Sequence, residues 1–322
     1  VGSYFRAVVK GLGRGLLVLW LVITLVHVGL FLAGGNPVEL LMDNRLSQSQ
    51  RTQLKEKFGY DASPLVQYRR YLAQTLRGDL GMSFIYRAPV LRVLIPRIGR
   101  SLLLGSMALG LAIFLALGLL WLLHHSRWTA LRPWGDGMLQ MLLAVPAFVW
   151  APLCLAWFAY GLGWFPAHGS QTLFRDNANW WLVFWDTAWH AVLPGLCLGL
   201  PLAGQLAAYL NEQLRGLANA PFVLSAKGRG VSSRRVFWNH QMRMVLPSFV
   251  QWLGLYLPLL AGGAVVIEAI FGWPGLGLAL FDAVLARDYP LLLGGCLWAT
   301  LLVMPSYIIA DWFRGRMSES LP

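Results

Sequence analysis

Glu268 places a carboxylate in a run of apolar side chains that otherwise extends from Val245 to Ile270. A charge in hydrocarbon is costly, so such a group usually faces a bundle interior or water. There it would line a pathway, or brace an outer gate by bonding to the turn at Phe271–Gly277, which holds Pro274 and Gly275. If the span instead ends near Val266, Glu268 sits in the membrane interface. Gln205 and Gln251 also stand in apolar runs, and single amides there serve either a pathway or helix packing.

Bond-making chemistry has no comparable signal. His27, His124, His125, His168, His190 and His240 contain no HExxH pair and no ligand-spaced cluster beyond one adjacent pair. Gly81-Met-Ser83 lacks the following glycine of a nucleophile elbow. None of the four lysines follows a glycine, so there is no phosphate-cradling P-loop. Cys154, Cys197 and Cys296 fall inside apolar runs and read as small core residues rather than a disulfide framework. We therefore expect no catalytic residue, no metal site and no cofactor bound by this chain.

Docking chemistry is better supported. Between two apolar runs, Phe222 to Pro247 carries Lys227, Arg229, Arg234, Arg235 and Arg243, interrupted by Gly228 and Gly230. Trp238, Met242 and Val245 recur at i, i+4, i+7, with Phe237 and Met244 adding apolar surface; Arg235, Asn239 and Arg243 form a polar stripe beside them. Such a helix lies at a membrane surface and touches lipid headgroups or a protein partner.

The elements that must position these residues are membrane helices. The chain is 57% apolar and only 12% charged, with sixteen tryptophans, outside the soluble range. A bilayer core needs roughly 20 apolar residues per helix. Six spans are expected at residues 15–33, 101–123, 138–160, 191–210, 245–270 and 291–313. The fourth holds Pro194, Pro201, Gly195, Gly199 and Gly204, so it should be a packed helix whose neighbours satisfy the freed backbone groups. Basic residues in the short loops place both termini in the cytoplasm; the longer segment 34–100 departs from that asymmetry. There Ser47–Phe58 is helix-compatible, a second helix starts at Ser63-Pro64 with Leu65, Tyr68, Leu72 and Leu76 on one face, and Gly78-Asp79-Leu-Gly81 closes it. The net charge of +12 is spread over loops on both faces, which does not fit a nucleic-acid-binding surface. Along the chain we expect an N-terminal tail and first helix over 1–34, an extracytoplasmic helical segment over 35–100, and a five-helix core over 101–322 containing the cytoplasmic loop 211–246.

Five sequence elements, in order, resemble the first of the two permease subunits of bacterial ABC importers of the dipeptide, oligopeptide and nickel group. They are Asn36-Pro37; Phe58-Gly-Tyr-Asp61 with Pro64-Leu65 and Gln67-Tyr68; Gly78-Asp-Leu-Gly-Met-Ser83; Ser225-Ala226 through Gly230 with Arg234-Arg235-Val236, His240 and Leu246-Pro247; and Glu268-x-x-Phe271-x-x-Pro-Gly-Leu-Gly277 with Arg287-Asp-Tyr-Pro290. The loop departs from the family pattern, with Leu224 or Ser225 where an acidic residue is usual and Gly228 at a place usually held by alanine. Arg97-Ile-Gly-Arg-Ser101 replaces a usual Pro-x-Thr pattern.

The resemblance implies an all-α type I importer permease in the bacterial inner membrane, supplying half of a pathway for short peptides, peptide-like solutes or metal chelates. It implies a second related permease, one or two ATPases that use ATP and magnesium, and an extracytoplasmic binding protein. Ser225, Ala226, Gly230, Arg234, Arg235, Phe237, Trp238 and His240 would then form the ATPase-docking helix. Glu268, Phe271, Pro274, Gly275, Gln205 and Gln251 would belong to the pathway or outer gate. Asp79, Asp288 and Tyr289 would be outer-face anchors or binding-protein contacts. A self-sufficient secondary transporter is the rival reading, but it would usually show internal repeats and midplane acids.

Overall fold

Proline and glycine set most of the helix ends. A computed structural model describes residues 2–33, 62–124, 132–172, 179–262 and 264–319 of the chain. The elements are α1 (Gly2–Ala33), α2 (Pro64–Leu76), a two-stranded hairpin of β1 (Met82–Ser83) and β2 (Ala88–Pro89), α3 (Val90–His124), α4 (Arg132–Ala144), α5 (Ala147–Cys154), α6 (Trp180–Gly216), α7 (Pro221–Gly228), α8 (Met242–Gly262), α9 (Val265–Phe271), α10 (Leu276–Leu285) and α11 (Tyr289–Glu319). The fold is all-α apart from that hairpin.

Among the described residues, three stretches are long and apolar enough to cross a membrane: Gly13–Leu32, Val90–His124 and Trp180–Gly216. The third expected span is broken. Its residues fall on α4 and on Ala147–Gly161, bent by 106°, because Pro146 is extended at φ −63°, ψ 154° and disfavours helix at the residue before it. The fifth is interrupted too: α8 ends at Gly262 and α9 starts at Val265. The fourth is one continuous helix despite Pro194 and Pro201, and most of its apolar window is buried. The sixth lies on α11.

Contacts group the described residues into two units that cut across chain order. The first draws on Val1–Ser101, Ala261–Val265 and Pro274–Pro305. Its core joins Ile23 of α1, Leu80, Val90 and Leu94 of α3, Leu276 and Ala283 of α10, and Leu291 and Leu297 of α11. Here α2 forms as expected, with Pro64 in its first turn. Tyr68 and Leu72 pack on this core, while Leu65 and Leu76 of the expected face remain exposed. Gly78, at φ 79°, follows the helix. The hairpin was not foreseen, and α3 starts at Val90 rather than near Ser101. The expected elements at Asn36-Pro37 and Ser47–Phe58 lie outside the described residues.

The second unit draws on Leu102–Leu260, Val266–Trp273 and Ser306–Pro322. Its largest core is built around α6, whose Ala203, Leu206, Leu210 and Leu214 meet Ala112, Ala116 and Leu120 of α3, Leu139 and Leu142 of α4, and Val245 and Trp252 of α8. Small residues set the spacing. A Cβ on Gly199 would lie 2.9 Å from the Ala108 carbonyl oxygen, and one on Gly204 2.7 Å from Leu142 Cβ, so close helix approach requires glycine at both places.

Candidate functional site

The basic segment after α6 folds into two short pieces. Pro221 starts α7, where its missing N–H costs nothing. Gly230, at φ 75°, ends the piece, with its N–H donating to Lys227 O and the Val231 N–H to Ala226 O. Val223, Ala226 and Val236 bury one another in a small separate core. Ser225, Lys227, Arg229, Arg234, Arg235, Asn239 and Arg243 are exposed, and His240 is half-buried. One turn of helix, Ser233–Arg235, then widens into a π turn over Val236–Gln241 before α8 begins.

That π turn corrects the expected contact face. It adds a residue to the turn and shifts the register of all that follows. Phe237 and Val245 are consequently buried and Met242 packs against the main core, whereas Trp238 stays 40% exposed. The i, i+4, i+7 stripe thus serves the bundle at two of its three positions. The outward apolar surface is Trp238 with Phe222, Leu224, Met244 and Leu246, rimmed by the arginines. The polar stripe of Arg235, Asn239 and Arg243 faces outward as expected.

Beneath this segment lie two residues the sequence did not single out. His124, at the end of α3, lies 2.8 Å through Nε2 from Asn211 Oδ1 of α6. The Asn211 oxygen accepts only, so Nε2 carries the proton. The same imidazole stacks on Phe237 with centroids 5.9 Å apart. A hydrophilic pair at the ends of two apolar helices was the available signal.

Glu268 is 1% exposed, which places it inside the second unit rather than at an interface. It lies on α9 beside Ile267 and Phe271, which pack on Cys154, Leu193 and Cys197. Gly272, at φ 58°, turns the chain back, so that the Trp273 N–H donates to Glu268 O at 2.8 Å and the Gly169 N–H to Phe271 O at 2.9 Å. Gln205 is half-buried and Gln251 exposed.

In the first unit, Pro274 is half-buried and Gly275 is buried. Gly275 is the N-cap of α10, whose Leu276 N–H donates to the buried Ser101 hydroxyl at 2.7 Å. The expected surface contact at Asp288 is corrected: its exposure is 0%. Oδ2 accepts from Ser83 Oγ at 2.6 Å, Phe84 N at 2.7 Å and Ile85 N at 3.0 Å, and Oδ1 accepts from Leu291 N at 3.1 Å. Asp288 is an internal anchor that ties the hairpin turn to α11. Tyr289 is half-buried, with its hydroxyl 3.5 Å from Leu30 O. Asp79 is exposed and accepts from the Gly81 N–H at 2.9 Å.

A bundle of broken and kinked apolar helices, with one basic segment between two of them and no assembled catalytic group among the described residues, defines a membrane transport subunit. The chain belongs to the family of binding-protein-dependent transport system inner membrane components, which it matches over residues 108–321. It is similar to the oligopeptide transport system permease protein AppB of Bacillus subtilis, at 31% identity over 87% of each chain. It is also similar to the glutathione transport system permease protein GsiC of Salmonella paratyphi A, at 29% identity over 94% of each chain. It is thus an ABC importer permease.

Proposed function

We propose that this chain supplies half of an ATP-driven import pathway for short peptides or peptide-like solutes and docks an ATPase through the segment Pro221–Leu246. The observation that carries this is the division of that segment into an inward apolar side and an outward tryptophan with a basic rim. Such a surface fits a protein groove: buried aromatics carry affinity and rim charges steer the approach. A basic loop held only by anionic lipid does not need the separate small core of Val223, Ala226 and Val236 that fixes its shape.

The substrate class rests on the relatives named above, both called permeases for peptides. Nickel or a metal chelate stands behind it, because neither relative carries such a name. The remaining parts are a second related permease, one or two ATPases that bind ATP and magnesium, and an extracytoplasmic binding protein. Both termini face the cytoplasm of a bacterial inner membrane in this reading. Glu268 and the Phe271–Gly275 turn belong to the outer end of the pathway, and this chain binds no cofactor of its own.

A mild-detergent pull-down of the tagged protein from its native membranes, with mass spectrometry and an ATPase assay on the eluate, tests the reading. P-loop ATPases and a second permease are expected in the eluate. A chain that elutes alone without ATPase activity, yet transports in liposomes, would be a secondary transporter instead.

A further inference from the structure

The outward tryptophan is not isolated from the membrane helices. Trp238 meets Phe237 edge-on, with centroids 5.0 Å apart and planes at 87°. Phe237 stacks on His124 at 29° between planes, and His124 bonds Asn211. Three contacts therefore lead from an exposed side chain to the ends of α3 and α6. Phe237 lies in the π turn, an element that often marks functional sites in helices. Leu210 and Leu214, which flank Asn211 on α6, are fully buried in the main core. A displacement of the Phe237 ring therefore acts on packed atoms.

We propose that His124 is a positioning residue of the transport cycle: it holds Phe237 against Asn211, so that a push on Trp238 moves the ends of α3 and α6 together. This rests on the ATPase-docking reading above. The physical basis is a contiguous chain of packed rings ending in a buried hydrogen bond, with little slack to absorb motion. A purely structural role would hold the same atoms together but transmit nothing when nucleotide binds.

Hydrogen exchange on the intact complex, purified with its co-purifying ATPases, separates the two. Exchange is compared before and after trapping with ATP and vanadate. In the unsubstituted complex, nucleotide should change exchange in the 221–245 segment and also at residues 116–124 and 207–216. H124A should keep the change in 221–245 and lose it at the two helix ends. F237L, which keeps bulk without a ring, should do the same, and F237Y should retain both changes because a ring still covers His124. Helix-end changes that persist in H124A or F237L would overturn the relay while leaving docking intact. If the unsubstituted complex shows no change in 221–245, the docking reading fails and the relay with it. Should H124A not assemble, F237L and F237Y decide the matter alone.

Discussion

The Asp288 carboxylate accepts the Ser83 hydroxyl at 2.6 Å across a sequence separation of 205 residues. Two more donors come from the same turn, Phe84 N–H and Ile85 N–H. Removing the carboxylate leaves three buried or half-buried donors of that turn without their acceptor. Asp288→Ala should cost roughly 3 kcal/mol or more, and Ser83→Ala about 1–2 kcal/mol. Thermal unfolding in detergent reads both. An unchanged midpoint for Asp288→Ala would remove the anchor role.

The two close helix approaches differ from a third. A methyl at Gly199 meets backbone at Ala108, and one at Gly204 meets the Leu142 backbone carbon at 2.9 Å as well as its Cβ. At Gly195 the nearest atoms belong to the flexible Met107 side chain, at 3.2 Å or more. Alanine at 199 or 204 should therefore destabilise the bundle by roughly 1–3 kcal/mol, and alanine at 195 by clearly less. Equal losses at all three positions would mean that Met107 is as unyielding as backbone.

Phe237 and Trp238 are neighbours in sequence with opposite surroundings. Phe237→Ala should cost about 3–5 kcal/mol of stability by opening a core cavity. Trp238→Ala should leave the unfolding midpoint close to its starting value and reduce ATPase recovered in the pull-down. Trp238→Glu should reduce it further. Full recovery with both Trp238 variants would assign the docking surface elsewhere.

Gly230 tests backbone and surface separately. Nothing lies within 4 Å of a Cβ built there, yet φ is +75°. Alanine should thus meet only the left-handed strain, about 1–2 kcal/mol, and keep ATPase recovery near normal. Aspartate adds a charge of the wrong sign beside Arg229 and should uncouple hydrolysis from uptake with insertion unchanged. Normal coupling in Gly230→Asp would show that this turn does not meet the partner.

Much of the architecture was legible in the sequence because hydrocarbon imposes strong rules. Apolar run length located the membrane helices, and Ser63-Pro64 marked the start of α2 to the residue. The run from Met138 to Tyr160 misled, since apolar composition alone does not report the extended backbone at Pro146. The hairpin at Met82–Pro89 was likewise hidden: its strands are two residues each, too short for any alternation to show.

The candidate site divides in the same way. The basic segment, its glycines and the carboxylate at Glu268 were visible from residue type and from what each would cost in a bilayer. Which side of the segment faces out was not visible, because the π turn over Val236–Gln241 shifts the register and turns Phe237 inward. Nor could spacing reveal that Asp288 closes on Ser83 or His124 on Asn211 and Phe237. The sequence by itself determined a membrane bundle with one polar docking segment, through local composition measured against lipid. Tertiary structure alone decided which polar groups meet, because those partners lie up to 205 residues apart and only packing brings them within hydrogen-bond reach.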